Sequence, residues 1–360
     1  MKKFDALTGI RAIAACMVFL YHNRKYWRDQ LHPELLRLIN EMNTGVSLFF
    51  VLSGFLIAYT YQSKPAASLK DYSRYLLQRV ARIYLIYVLI LIAYYCDPGF
   101  GKGEATWLTF SLVHGLSSQY NLYGLGQAWS LTVEMCFYIM APFMVLWLQK
   151  SRWLFVLGIV LIVLTMAGIG YSLDHTSLRK DHFLWPLDFL ANGTLAGYIA
   201  EFSIGILLAA YLRSVETPKP LKLKNSSILL FLALFAWLYF IGLFQSNVYD
   251  HGTAHWPGKL MLSIGFSSTA ALLFYSLITT DSWFSRFLSS KPMILLGNAS
   301  FVFYLVHISY VNLKIRSWFL LPDRNFVVLW LLSIVLYLFI EKPFYGFVRK
   351  RIKNETAGSN

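Results

Sequence analysis

Gly45-Val46-Ser47-Leu48-Phe49-Phe50-Val51-Leu52-Ser53-Gly54-Phe55-Leu56 lies within residues 42–62, a stretch holding no Asp, Glu, Lys or Arg. As a helix, such a stretch rises about 30 Å, which is the thickness of a bilayer's hydrocarbon core. Comparable apolar runs fall at about 8–27, 42–62, 75–96, 127–148, 153–173, 195–212, 227–246, 260–280, 297–319 and 325–345, ten in all. Composition agrees. The chain is 57% hydrophobic and 17% aromatic with a mean hydropathy of +0.52, and only 14% of it is charged. Soluble domains carry about a quarter charged residues, and disordered chains lack so much apolar surface. The fold class read from these runs is all-α, a polytopic membrane helix bundle of about ten transmembrane helices.

An even number of spans puts both termini on one side. Twenty of the 32 Lys and Arg fall on that side, eleven on the other, and Arg11 lies within a span. This asymmetry orients the chain N-in and C-in. The net charge of +14 is spread between apolar runs and forms no basic patch, so it reads as membrane anchoring and excludes a nucleic-acid partner. Residues 1–347 are expected to form one transmembrane domain, with 348–360 a short cytoplasmic tail that is polar and frayed after Lys353. Ile13-Ala14-Ala15-Cys16 resembles a cleavage box, but Arg11 interrupts the apolar core that a cleaved signal requires. The segment therefore reads as a retained first helix. Cys16, Cys96 and Cys136 have no metal or disulfide spacing and read as small packing residues. Neither a repeat of fixed period nor paired Gly/Pro-broken helices stand out.

Ionisable groups inside spans cost at least about 2.5–3.5 kcal/mol at mid-bilayer, so they mark function or pairing. Arg11 and His22 are eleven residues apart, about three helical turns, and share one face some 16 Å apart along the axis. They form either a polar line across the bilayer or two interfacial groups, Arg11 snorkelling inward and His22 closing the outer end. Glu134 stands early in the fourth span and is expected to pair with Arg11 or His22, for catalysis or simply to orient helices. Glu201, near the start of the sixth span, is weaker as a site residue. His307, in the ninth, suits a core histidine as well as a catalytic one. Glu341 reads as an interfacial stop. Arg79 and Arg82 share a helix face at the inner end of the third span, where they suit a phosphate or simply anchor the helix. No GxGxxG, P-loop, HExxH or GxSxG pattern is present, and no metal is expected.

Six blocks, in order, resemble the membrane-bound acyltransferase family three. They are Leu7-Thr8-Gly9-Ile10-Arg11 through Tyr21-His22, the Gly45–Leu56 stretch, Arg79-Val80-Ala81-Arg82, Trp129-Ser130-Leu131-Thr132-Val133-Glu134, Gly297-Asn298-Ala299-Ser300 through His307, and Glu341-Lys342-Pro343. Together they run from residue 7 to residue 343. Thr8 and Ser47 stand where many members have Asp, which removes a carboxylate role there. Larger members add a C-terminal hydrolase-like domain, and this chain reads as the stand-alone membrane domain.

The resemblance implies transfer of an acyl group, usually acetyl, from cytoplasmic acyl-CoA to a hydroxyl of a glycan or lipid-linked saccharide outside the cell's inner (cytoplasmic) membrane. Acetyl-CoA would be the co-substrate, held by Arg79 and Arg82, with Trp129 lining the passage. His22 would act as general base or acyl carrier, with Arg11 and Glu134 as its catalytic companions. Polysaccharide-assembly proteins are conceivable partners. The basic outer loop (Arg24, Lys25, Arg28, Arg37) would suit an acidic acceptor. Two other readings use the same charges: a transporter or flippase of saccharides along the Arg/Glu/His line, and a structural subunit whose charges pair helices.

Overall fold

A computed structural model describes residues 4–27, 29–61, 68–97, 106–175, 189–190, 192–223, 225–247, 250–318 and 322–357. Of the basic residues counted above, Lys2, Lys3, Arg28, Lys64, Lys102, Arg179, Lys180 and Lys224 lie outside the described residues. Among the described residues there are helices and turns and no strand. The principal helices are α1 (Asp5–Asn23), α2 (Pro33–Asn40), α3 (Gly45–Tyr61), α4 (Leu69–Tyr95), α5 (Trp129–Lys150), α6 (Arg152–His175) and α7 (Ile199–Ser214). They continue with α8 (Ser226–Gly242), α9 (Trp256–Thr279), α10 (Lys291–Val306), α11 (Tyr310–Trp318), α12 (Pro322–Leu336) and α13 (Lys342–Ala357). Among the described residues eight helical segments are long and apolar enough to cross a membrane, and α8 and α10 are shorter apolar helices. Together they match the ten apolar runs. The protein is an all-α, polytopic membrane protein.

Four boundaries differ from the sequence reading. Helix α4 begins at Leu69, because Ser68 caps it by accepting the Asp71 amide at 3.2 Å. Arg79 and Arg82 therefore lie about three turns into the helix. The ninth run does not form one helix: α10 stops at Val306, Ser309 Oγ donates to the Val306 carbonyl, and the Asn312 amide donates to that of His307. Side-chain donors there take up carbonyls that a continuing helix would use. Two π-helical segments, Met261–Phe266 within α9 and Tyr337–Glu341 before α13, have no signature in hydropathy. The expected tail is helical as far as Ala357.

The chain divides into two compact units, Met1–Ser63 with Ala141–Gly297 and Lys64–Met140 with Asn298–Asn360. In the first, α3 and α7 meet backbone to backbone. A Cβ at Gly54 would stand 2.1 Å from the Phe202 carbonyl oxygen, and one at Gly205 2.1 Å from that of Val51. Helix α1 is held the same way, since a Cβ at Gly9, Gly45 or Gly297 would stand 2.1 Å from Leu288 O, 2.6 Å from Ala14 O or 1.9 Å from Thr8 O. Such small-residue contacts are how helices associate where lipid removes the hydrophobic drive. By contrast, only 6% of the apolar Arg152–Ser172 segment of α6 is buried, and Leu154, Leu157, Leu161 and Leu164 are exposed. That face would be a liability in water and is at home against acyl chains.

In the second unit, Thr132 on α5 donates to the carbonyl of Leu112, a residue at φ 59°. This clamp holds the connection before α5, where His114 is fully buried. Burial pushes the His114 imidazole down to about 4.

Gly205→Ala should lower the melting temperature in detergent, since overpacking costs about 1–3 kcal/mol and outweighs the gain in helix propensity. Gly168→Ala, in open space on α6, should not lower it. His114 predicts an acid limb. Between about pH 6.5 and 4 the unfolded chain binds a proton that the folded chain refuses. Stability is therefore full above that window and falls as pH drops through it, by a few kcal/mol at most, on the order of 1.4 kcal/mol per unit. Melting curves of His114→Gln across this range should show a flatter limb.

Candidate active site

The residues singled out from sequence divide between the units: Arg11 and His22 in the first, Arg79, Arg82, Trp129 and Glu134 in the second. Helix α1 runs unbroken from Asp5 to Asn23, so Arg11 and His22 do share a face. Both are half-buried. The expected pairing of Glu134 with either of them would join residues of different units.

Within the second unit, Glu134 Oε1 accepts a hydrogen bond from Tyr138 Oη at 2.6 Å, one turn along α5. Tyr75 donates to the Tyr138 carbonyl at 2.9 Å and Tyr72 to that of Ile139 at 3.1 Å, which ties α4 to α5. The Arg79 guanidinium stands 5.8 Å from both the Tyr75 and the Tyr138 ring centroids. Arg82 faces a different environment, interacting electrostatically with Glu134, Glu341 and the Tyr138 and Tyr345 phenols. Glu341 is only 6% exposed, so it is no interfacial stop. Its π-helical segment runs on into α13, and its charge answers Arg82. The two arginines thus differ: Arg82 is matched by carboxylates, while Arg79 lies among aromatic faces.

Next to this cluster, Ser130 Oγ and Tyr304 Oη are 2.7 Å apart, and Gln127 Nε2 donates to the Leu305 carbonyl at 2.6 Å. These bonds fasten the start of α5 to α10. Trp129, half-buried, opens α5 beside them. His307 lies in the break after α10 rather than inside a span, with Nδ1 2.6 Å from the Tyr304 carbonyl. A carbonyl only accepts, so Nδ1 carries a proton and the ring is held in one orientation.

The first unit gathers further ionisable groups at the His22 end of α1. Tyr21 Oη lies 2.9 Å from His251 Nε2, and the Tyr21 ring meets His22 edge-on at 4.7 Å. Asp250 accepts from the Ser246 hydroxyl at 2.6 Å and lies 2.7 Å from His255 Nε2. Those hydrogen bonds hold the Asp250 carboxyl well below the usual range despite the opposing effect of burial. Glu201 is fully buried, contrary to its weak standing in sequence, and interacts with Lys259, whose Nζ stands 3.6 Å over the Tyr198 ring. Arg24 is engaged with Tyr21, at 4.2 Å over the ring, and Arg37 with Glu34 at 3.2 Å. Two of the four cations expected to greet an acidic acceptor are therefore occupied. Cys16, Cys96 and Cys136 are unbridged, and Cys96, contrary to expectation, is exposed. Among the described residues no three metal-binding side chains converge.

Glu41, Asp250, His251 and Lys259 escaped the sequence reading. The partners of Glu41, His251 and Lys259 are far away in the chain, those of Asp250 are local, and no period or motif marks any of the four. Glu341 had a signal, an acid on an otherwise apolar helix, but its position near the last span suggested an interface.

The acyltransferase-domain family model, acyltransferase 3, matches residues 4–341. A Staphylococcus aureus (strain COL) protein provisionally named an O-acetyltransferase is 22% identical over 96% of this chain and 58% of its own length. A Bacillus subtilis protein, YrhL, provisionally named a peptidoglycan O-acetyltransferase, is 26% identical over 97% of this chain and 55% of its own. The acyltransferase MdmB of Streptomyces mycarofaciens is 24% identical over 85% of this chain and 78% of its own. The chain thus spans little more than half the length of the first two relatives. No solved structure matches it significantly. A match across nearly the whole chain, over residues that the structure assembles into two polar clusters, places the chain in the acyltransferase 3 family.

Proposed function

We propose that the protein moves an acyl group, acetyl in the first instance, from cytoplasmic acyl-CoA to a hydroxyl of a glycan or lipid-linked saccharide on the outer side of the cytoplasmic membrane, with both termini inside. The observation that carries this reading is the single helix α1, with Arg11 and His22 on one face about 16 Å apart. That length suits a pantetheine arm threaded from the inner surface. The name of the Bacillus relative, a peptidoglycan O-acetyltransferase, supports a glycan acceptor.

The reaction exchanges one ester for another: the acyl carbon leaves sulfur, the acceptor oxygen takes its place, and the hydroxyl proton ends on the CoA thiolate. His22 is the proposed base that takes this proton and returns it to sulfur. Arg11 and Glu134 are its proposed companions, for the charge that develops on carbonyl and imidazolium. Arg79 is the better-placed phosphate ligand of the two arginines, since its neighbours are rings, and Trp129 lines the passage. Arg82, matched by Glu134 and Glu341, serves chiefly to hold α4, α5 and the last span in register.

Two tests follow from these roles. Surface glycans from cells expressing wild type should carry an acyl mass increment, released by mild alkali, that disappears in His22→Ala at matched membrane levels. A glycan left unacylated by wild type across several acceptors would favour the transporter reading. Arg79→Ala should raise KM for acyl-CoA about tenfold or more with little change in melting temperature, as expected for loss of a charged hydrogen bond. Arg82→Ala should instead lower the melting temperature, because two carboxylates lose their counter-charge.

A further inference from the structure

The connection after α8 in the first unit, residues 243–247 and 250–255, is held by a buried carboxylate that the acyl-transfer steps above do not use. Glu41, fully buried at the end of α2, accepts on Oε1 from Gln245 Nε2 and from the Gly252 amide, both at 2.6 Å. The Thr253 amide and the Asp250 charge also face it. Its second oxygen, Oε2, is buried and has no hydrogen-bond partner among the described residues. Thr44, three residues on in the turn Met42–Thr44, is 2% exposed, and its hydroxyl is likewise unpartnered. In such a 3₁₀ turn, side chains three apart stand one above the other. The turn packs on α1, and Gly45, next in sequence, abuts the Ala14 carbonyl. His251, adjoining the Gly252 amide that Glu41 accepts, reaches Tyr21 beside His22.

We propose that Glu41 and Thr44, with His251 beside the Gly252 amide, form the acceptor subsite, and that it takes neutral vicinal hydroxyls of a saccharide; this rests on the acyl-transfer reading above. The chemistry selects the class. As the carboxylate, with Oε1 taken by two N–H donors, Glu41 leaves Oε2 an acceptor only, and a threonine hydroxyl can accept or donate, so the pair calls for a ligand rich in O–H donors. A phosphate or carboxylate offers only acceptors and would meet the Glu41 charge at close range. Arg24 and Arg37, which might have drawn such a ligand, are engaged with Tyr21 and Glu34. A buried acceptor left without a donor is costly, and a sugar hydroxyl supplies that donor next to the base that must deprotonate its neighbour.

The test uses the protein in detergent with acetyl-CoA and two probes that both carry vicinal hydroxyls, a neutral 1,4-linked glucose tetrasaccharide and an anionic galacturonic acid tetrasaccharide. Glu41→Gln keeps an oxygen for the Gly252 amide, and Thr44→Val keeps the shape. Wild type should acylate the neutral probe and be thermally stabilised by it, and the anionic probe should do neither. Glu41→Gln should raise the acceptor KM about tenfold or more and abolish the thermal shift, with KM for acetyl-CoA unchanged. Thr44→Val should do the same to a smaller degree. An unchanged acceptor KM in Glu41→Gln, an equal rise in both KM values, or equal binding of the anionic probe would overturn the subsite and leave Glu41 as a tether of the connection. No thermal shift of wild type with either probe overturns it too. A neutral-probe shift that Glu41→Gln abolishes, without any acyl transfer, keeps the subsite and sinks the reaction instead.

Discussion

Everything in the first unit depends on how closely the backbone of α1 and its neighbours can approach. At Gly9, Gly45 and Gly297 the space for a side chain is already filled by a carbonyl of the facing segment, and Gly54 and Gly205 do the same between α3 and α7. In a bilayer, apolar side chains gain little by leaving lipid, so the association has to come from contact itself. Dispersion falls steeply with distance, and each removed Cβ brings two helices nearer than any larger residue permits. The glycines that open the sequence motifs at residues 9, 45, 54 and 297 are therefore the contact points on which the placement of Arg11 and His22 rests.

The second unit solves a different problem, which is how to keep charge inside an apolar environment. Arg82 stands among Glu134, Glu341 and two phenols, so that cation and carboxylates answer one another. Arg79 has been given aromatic faces, and Glu134 a phenol donor at 2.6 Å. The same economy governs Lys259, which sits on the Tyr198 ring with Glu201 as counter-charge. Matched groups fix geometry; a group matched only by rings retains the capacity to meet an anion. That difference separates Arg79 from Arg82, although sequence spacing treats them alike.

Much of this was legible. Among the described residues each of the ten apolar runs meets a helix, the ninth one that stops at Val306, because hydropathy over a span-length window reports the solvent that each segment needs. The shared face of Arg11 and His22 follows from helical geometry alone. Helix ends were less legible: the start of α4 depends on one hydroxyl at Ser68, and the end of α10 on side chains of Ser309 and Asn312. The burial of Glu341 and Glu201 was misjudged since both stand near span ends, where a lone acid normally meets water. Glu41 and His251 were invisible. Their partners, Gly252 and Tyr21, are more than two hundred residues away, and no period links them.

The arrangement of α1 also bears on the choice between chemistry and transport. A transporter moves elements past one another around its substrate, and the polar groups along its path have to exchange partners as they do so. Within the first unit, α1 meets the Leu288 carbonyl through Gly9 and offers its own Thr8 and Ala14 carbonyls to Gly297 and Gly45, and α3 is locked to α7 by the same means. Such contacts resist sliding, because displacement by a fraction of an ångström either opens a gap or drives atoms together. Acyl transfer asks for the opposite of mobility: a base held at a fixed point, so that thioester and hydroxyl can be brought to it from either side. In the proposed reaction a helix pinned by glycines with a histidine at its end would supply that fixed point, and the long donor arm, rather than the protein, would cover the distance.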